Sequence, residues 1–170
     1  AKRMVDIAAE RPQQLALVNH ELRFTPAHRK ARELIRSGAI GRPVLFTARV
    51  ATSACIDPTR AWSWWSDAEQ GGGMLQAHGS HAFDSVAWIT GEVPVLHGAS
   101  IRRIYATWRE RAGIVRDVAA DGMASGTVRV GGAVGSVLVH GGALDDAIDL
   151  FTIRGTEGGV VSDRSLKLYY

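Results

Sequence analysis

The stretch GGGMLQAHGSHAFDSVAWITG, residues Gly71 to Gly91, decides how this chain is read. Three glycines open a run whose apolar positions then recur at helical spacing. Leu75, Gly79, Ala82, Val86 and Ile89 fall at steps of four and three, the mark of one helix face laid on a core. Ala77, His81, Asp84 and Trp88 repeat that spacing on a second stripe. A helix starting near Met74 therefore carries His81 beside its buried face, with Asp84 one turn further on. Gly79 and Ala82 are small enough to let another element come close.

Three chemistries compete for this stretch. A metal would need convergent ligands, and His78, His81 and Asp84 are the available set. Each step of three residues turns the side-chain direction by about −60°, so His78 and Asp84 point about 120° apart. That geometry converges poorly on one ion, and no metal is expected. A dinucleotide loop would need a third glycine at position 76, where Gln76 stands, and a strand leading into the run. The glycines instead suit a sharp turn into the helix. Acid–base work is the third reading, because an imidazole titrates near neutrality and can exchange a proton with a hydroxyl. Spacing alone leaves His81 open between a core histidine and a catalytic one, with His78 structural or solvent-facing.

Outward from this helix, "AKRMVDIAAE" suits a helix, and Leu15 to Val18 read as a short buried strand. A helix followed closely by a strand is the tail of an α/β unit, so residues 1–24 are assigned to a preceding domain and 25–170 to a second. "TPAHRKARELIRSG" has Thr25 as N-cap, Pro26 at the first helical position and Gly38 as the stop. Ala27, Ala31, Leu34 and Ile35 form its apolar stripe. Arg29, Arg32 and Arg36 lie on another face, with no aromatic residue for stacking on bases, so the face reads as solvated and not as a nucleic-acid surface.

"RPVLFTARVAT" alternates as a strand, with Val44, Phe46, Ala48 and Val50 on one face. After Gly91 come strand patterns: "VLHGASIRRIYATW", a hairpin "TVRV-GG-AVGSVLVH" turning on Gly131-Gly132 with positive φ at both, and a meander of "IDLFTIRG", "GVVSD" and "SLKLYY". Residues 25–170 thus read as α+β, an open and largely antiparallel sheet with helices on one face. Alternate apolar positions (Ile101, Val128, Val137, Val139 and Phe151) call for a cover, which gives the expectation of a homodimer or tetramer through the sheet face.

Composition bounds the rest. The chain has 170 residues, 46% hydrophobic and 22% charged, the balance of a globular protein. No apolar run approaches the ~20 residues of a membrane helix. Residues 1–60 hold 11 Lys+Arg against 5 Asp+Glu, yet the lysines are only Lys2, Lys30 and Lys167. Cys55 is the single cysteine and demands no oxidising compartment, so the expected location is cytoplasmic.

Three segments in order resemble the Gfo/Idh/MocA oxidoreductase family. "VNHELRFTPAHRKARELIRSGAIGRP" resembles the segment joining its two domains. "WSDAEQGGGMLQAHGSHAFDSVAWITG" resembles its central helix motif. "FTIRGTEGGVVSDRSLKLYY" resembles its closing strands, with a Gly-Thr-Glu-Gly turn at Gly155 to Gly158. The resemblance implies an N-terminal Rossmann domain that binds NAD or NADP, and a C-terminal α+β domain of dihydrodipicolinate-reductase-like type that shapes the site for a sugar, polyol or related compound. It places the family's central histidine on His81, which would exchange a proton as hydride passes to or from the nicotinamide, with Asp84 orienting the ring. The family's usual aspartate four residues earlier is Ala77 here. The Glu-Lys-Pro motif and the cofactor loop would lie upstream of Ala1, so neither NAD nor NADP is expected to bind this chain alone, and the fragment by itself is expected to be inactive.

Substrate-side candidates are Arg60, Trp62, Trp64 and Trp65, since indole faces suit sugar rings and arginine pairs with carboxylates or hydroxyls. Arg23 and His20 at the junction join them. Two other readings stand beside the dehydrogenase: a non-catalytic binding or oligomerisation module of the same fold, and a lyase or hydrolase that uses nicotinamide transiently.

Overall fold

A computed structural model describes residues 2–57, 59–105, 107–109, 113–144, 149–163 and 168–169. The helices are α1 (Lys2–Ala9), α2 (Pro26–Arg36) and α3 (Ser80–Thr90). The strands are β1 (Pro43–Ala51), β2 (Val95–Arg102), β3 (Thr107–Arg109), β4 (Val115–Asp117), β5 (Met123–Val130), β6 (Ala133–His140), β7 (Asp149–Gly155), β8 (Gly159–Ser162) and β9 (Leu168–Tyr169).

Local chemistry accounts for the helix ends. The Thr25 hydroxyl accepts the backbone N–H of His28, and Pro26 fills a position whose N–H would have had no partner. At the other end Gly38 takes φ 76°, which lets Gly38 N–H reach Ile35 O and Ala39 N–H reach Leu34 O. That is a Schellman closure. Helix α3 stops at Gly91, φ 80°. It is preceded by one widened π turn, Leu75–Gly79, in which Ser80 N–H bonds Leu75 O. The wider turn rotates the residues before Ser80 away from the direction an unbroken helix would give them.

The main sheet runs β2-β5-β6-β1-β7-β8-β9. Strand β1 lies at its middle, parallel to β6 with Leu45 opposite Val134, and antiparallel to β7 with Phe46 opposite Ile153. The other neighbours are antiparallel. Helices α2 and α3 pack on each other and on one face of this sheet. Ala31, Val86 and Ile89 meet Phe46, Val128, Val139, Ile153 and Val160 there, all essentially solvent-free. The expected α+β layer is what forms, and the closing meander is present as β7, β8 and β9. The Gly155 to Gly158 turn closes with Gly155 N–H on Gly158 O, and Glu157 N–H ties it to Ile40 O.

Several expectations are corrected. Leu15 to Val18 form no strand: Leu15, Leu17 and Val18 are 85%, 79% and 80% exposed, because none of the described strands or helices covers them. The run after Val95 does not continue to Trp108 as one strand. It ends at Arg102, and β3 pairs instead with β4 in a separate two-stranded ribbon. In the β5–β6 hairpin only Gly131 takes positive φ, 56°, the pattern of a II′ turn and not of a I′ turn. Val128, Val137, Val139 and Phe151 do not await a partner subunit, since α2 and α3 already bury them. The face left uncovered carries Leu45 and Val134, about half exposed, among serines and threonines. No described helix is long and apolar enough to cross a membrane.

Candidate functional site

The short turn Glu21–Phe24 lays its side chains across α3. Arg23 Nε donates to Asp84 Oδ2 at 2.8 Å, and Arg23 Nη2 donates to Asp84 Oδ1. The planar guanidinium meets the carboxylate as a fork. This hydrogen bonding raises the Arg23 pKa further, with desolvation opposing it and the Asp84 charge adding to it.

His20 arrives on the same segment. Its Nε2 lies 3.9 Å from Asp84 Oδ1, and its ring meets the His81 ring edge-on, with centroids 5.3 Å apart. Glu21 Oε2 is 3.8 Å from His81 Nδ1, beyond hydrogen-bond reach. His81 Nδ1 is therefore buried without a partner. Orphaned buried nitrogens are rare, and catalytic positions are one of the places they occur. The expectation that Asp84 orients the His81 ring is corrected: Arg23 engages both carboxylate oxygens, and His81 is met by His20 and Glu21 instead.

A cavity of about 260 Å³ opens between α3, the start of α2 and the sheet. Helix α3 lines it with His81 and Ser85, the π turn before it with His78, α2 with His28, and Ala48 and Phe151 form its apolar floor. His78, expected to be structural or solvent-facing, stands in this wall because the π turn carries it there. Its ring lies 6.1 Å from Trp65. His28 is 6% exposed, with Nδ1 3.0 Å from Thr25 Oγ. Burial lowers its pKa, with Asp84 pulling weakly the other way. Ser85 is 2% exposed and its Oγ has no partner. His28 and Ser85 escaped the sequence reading because a buried polar residue looks like any other polar position. The one available signal was that His28 adjoins Ala27 on the stripe of α2.

The tryptophan loop stands beside this cavity, against His78 of its wall. Trp65 touches His78, and Trp64 packs on Trp65 at 5.3 Å. Arg60 stacks over Trp65 at 5.2 Å and donates Nη1 to Ala54 O. Arg60 and Trp65 line a separate cavity of about 50 Å³ with Cys55 and Asp121. Burial pushes the Cys55 thiol pKa up. Trp62 donates its indole N–H to Asp117 O and lies under Arg116. Of the loop candidates, Trp65 contacts His78 in the wall of the His81 cavity, while Arg60 and Trp62 brace the loop itself. Arg23 faces Asp84.

The glycine run offers no cradle for a dinucleotide. Gly72 and Gly73 are buried, and a Cβ on Gly72 would strike the carbonyls of Trp64 and Trp65. Gly73 takes φ 109° against the Asp121 carboxylate, which accepts Leu75 N–H at 2.8 Å. These glycines let the loop double back under the helix start, and a pyrophosphate has no room there. Among the described residues no group of three or more His, Cys, Asp or Glu side chains is placed to hold a metal ion.

Comparison with known proteins agrees with this architecture. Residues 28–161 match the GFO/IDH/MocA C-terminal domain. The uncharacterized oxidoreductase sll0816 of Synechocystis is 35% identical over 85 residues, half of this chain and 23% of that protein. The glucose-fructose oxidoreductase domain-containing protein 2 of Bos taurus is 29% identical over 81% of this chain and 35% of its own length. Levoglucosan dehydrogenase, solved in complex with NADH and levoglucosan, superimposes with a TM-score of 0.81 at 27% identity, covering 89% of this chain and 41% of that one. The chain thus spans less than half the length of each of these relatives. With the match running through α3, nearly all of α2 and the sheet as far as β8, the chain belongs to the GFO/IDH/MocA family and carries its C-terminal domain.

Proposed function

We propose that this chain forms the substrate side of the active site of an NAD(P)-dependent oxidoreductase acting on a sugar, polyol or related compound. The observation that carries the reading is His81: a buried imidazole nitrogen without a partner, on the wall of a cavity large enough for a small ligand. A nicotinamide held by a nucleotide-binding domain outside this chain would take or supply the hydride. The residues here would bind the substrate, and His81 would exchange the hydroxyl proton, with His20 and Glu21 setting its ring. Trp65, beside His78, would close one side of the site, while Trp62, Trp64 and Arg60 hold the loop that presents it. Levoglucosan dehydrogenase, with its bound NADH and levoglucosan, supports the cofactor and substrate class.

Residues 1–24 are read as the tail of that nucleotide-binding domain. The apolar side chains of Leu15, Leu17 and Val18, left in solvent here, support this. The uncovered sheet face around Leu45 and Val134 is read as a subunit contact, and sedimentation of the full-length protein as a dimer or tetramer, reduced to monomer by L45E/V134E, would bear this out.

The test of the function is NAD(P)H formation by the full-length protein across a panel of sugars and polyols. Cofactor-dependent oxidation of at least one, lost in H81A, is expected. Tight polyol binding with no cofactor-dependent turnover would favour the non-catalytic module.

A further inference from the structure

His28, beside His78 and His81, is the third imidazole lining this cavity, and its hydrogen bonds define which of its atoms the ligand meets. The Thr25 hydroxyl donates its only proton to Leu22 O at 2.9 Å. Its lone pairs remain, 3.4 Å from His28 N and 3.0 Å from His28 Nδ1. With the hydroxyl proton committed to Leu22, the Nδ1 contact is a hydrogen bond only when Nδ1 carries the proton. Burial favours the uncharged ring, so that proton is its only one and Nε2 holds a lone pair. No described side chain bonds Nε2, although His28 is more than nine-tenths buried and lines the cavity. On α3, the helix packed against α2, Ser85 Oγ is likewise buried without a partner. The same cavity is lined by Arg49, whose Nε is a buried donor without a partner, so the space offers an acceptor at His28 Nε2, a donor at Arg49 Nε and a hydroxyl at Ser85 that can be either. A hydroxyl group can both donate to Nε2 and accept from Arg49, whereas an ionised carboxylate could meet Arg49 but brings no donor for Nε2.

We propose that His28, held in its Nδ1–H form by Thr25, presents Nε2 as the hydrogen-bond acceptor for a substrate hydroxyl, with Ser85 Oγ as a second contact, and so selects polyhydroxylated ligands. This deepens the oxidoreductase reading by naming how its substrate is held, and rests on that reading only for the location of the site. His28 is thus a substrate-binding residue. Its other face stacks toward Phe151, with centroids 6.1 Å apart, so a phenyl ring can replace it without emptying the space.

The test uses the full-length protein, H28F and H28Q. Long-range ¹H–¹⁵N NMR at pH 7.5 is expected to show His28 protonated at Nδ1 and bare at Nε2; the opposite tautomer overturns the proposal. Calorimetry then ranks levoglucosan, L-sorbose, D-glucose and myo-inositol, and the tightest binder is compared with its mono-deoxy analogues. Wild type is expected to lose roughly 3- to 10-fold in affinity for one of these analogues, the value of one neutral hydrogen bond. H28F is expected to bind the parent more weakly by the same factor and to be blind to that deletion, while H28Q recovers part of the discrimination. An H28F protein that still senses the same hydroxyl, or a wild type that binds none of the four, overturns the proposal. Turnover with NAD(P) is scored separately: binding that behaves as stated without oxidation sinks the oxidoreductase reading and leaves this one standing.

Discussion

Arg23 holds Asp84 by both carboxylate oxygens across 61 positions of sequence. Two residues singled out for different roles, one on the substrate side and one catalytic, are each other's partners. The pair fastens the Glu21–Phe24 turn to α3 and thereby fixes His20 and Glu21 against His81. R23A and D84A are each expected to lower the thermal unfolding midpoint, and the double variant to lower it by less than the sum of the two. Circular-dichroism melts of the four proteins give the coupling. Strictly additive losses would mean that the fork does no fastening.

H81A in the full-length protein is expected to lower kcat by about 10²–10⁴-fold, the usual range for a lost proton-transfer group. Its ring stands beside the core and is partly exposed, so the melting midpoint should move little. Ile89 provides the structural contrast: it is solvent-free in the core, and I89A should cost about 2–5 kcal/mol. H78A, whose ring meets Trp65 in the cavity wall, should raise KM more than it lowers kcat. Equal kcat in H81A and wild type on a responsive substrate would remove His81 from the chemistry.

His28 gives stability a defined pH dependence. Its pKa is lowered in the fold from about 6.5, chiefly by burial. The unfolded chain therefore takes up this proton first as pH falls. The contribution to stability is complete above the unfolded value and is lost as pH drops below it toward the folded value, then levels off. Urea midpoints at pH 7.5 and pH 5 should differ less in H28F than in wild type. Identical differences would show that His28 is not desolvated as described.

G73A should destabilise the protein by about 1–3 kcal/mol, the range for a residue forced into a rare backbone conformation. Gly73 sits at φ 109°, where an L side chain is strained, and a Cβ there would press on the Asp121 carboxylate that holds Leu75 N–H. G71A, with open space around its Cβ position and φ 83°, carries the backbone strain alone and should cost less. Equal urea midpoints for G71A and G73A would show that the Asp121 contact is unimportant.

The helices and the hairpin were readable from the chain because their causes are local. Thr25, Pro26 and Gly38 bound α2 by hydrogen bonds and φ preferences within a few residues, and the four-and-three spacing of Ala82, Val86 and Ile89 marks a buried face wherever α3 lands. His81 could be singled out by its place beside that face. Which groups meet it could not, because that depends on contacts remote in sequence. Asp84 stood one turn from His81 on paper, yet Arg23 turned it toward the junction. His78 entered the cavity through one π turn, a departure that no residue spacing announces. His28 is buried by the sheet and helix that close over it, and that burial, which lowers its pKa, has no mark in the local sequence. The Leu15 to Val18 run shows the converse. Its composition is that of a buried strand, but a strand forms only where a neighbour supplies hydrogen bonds and cover, and none of the described residues does.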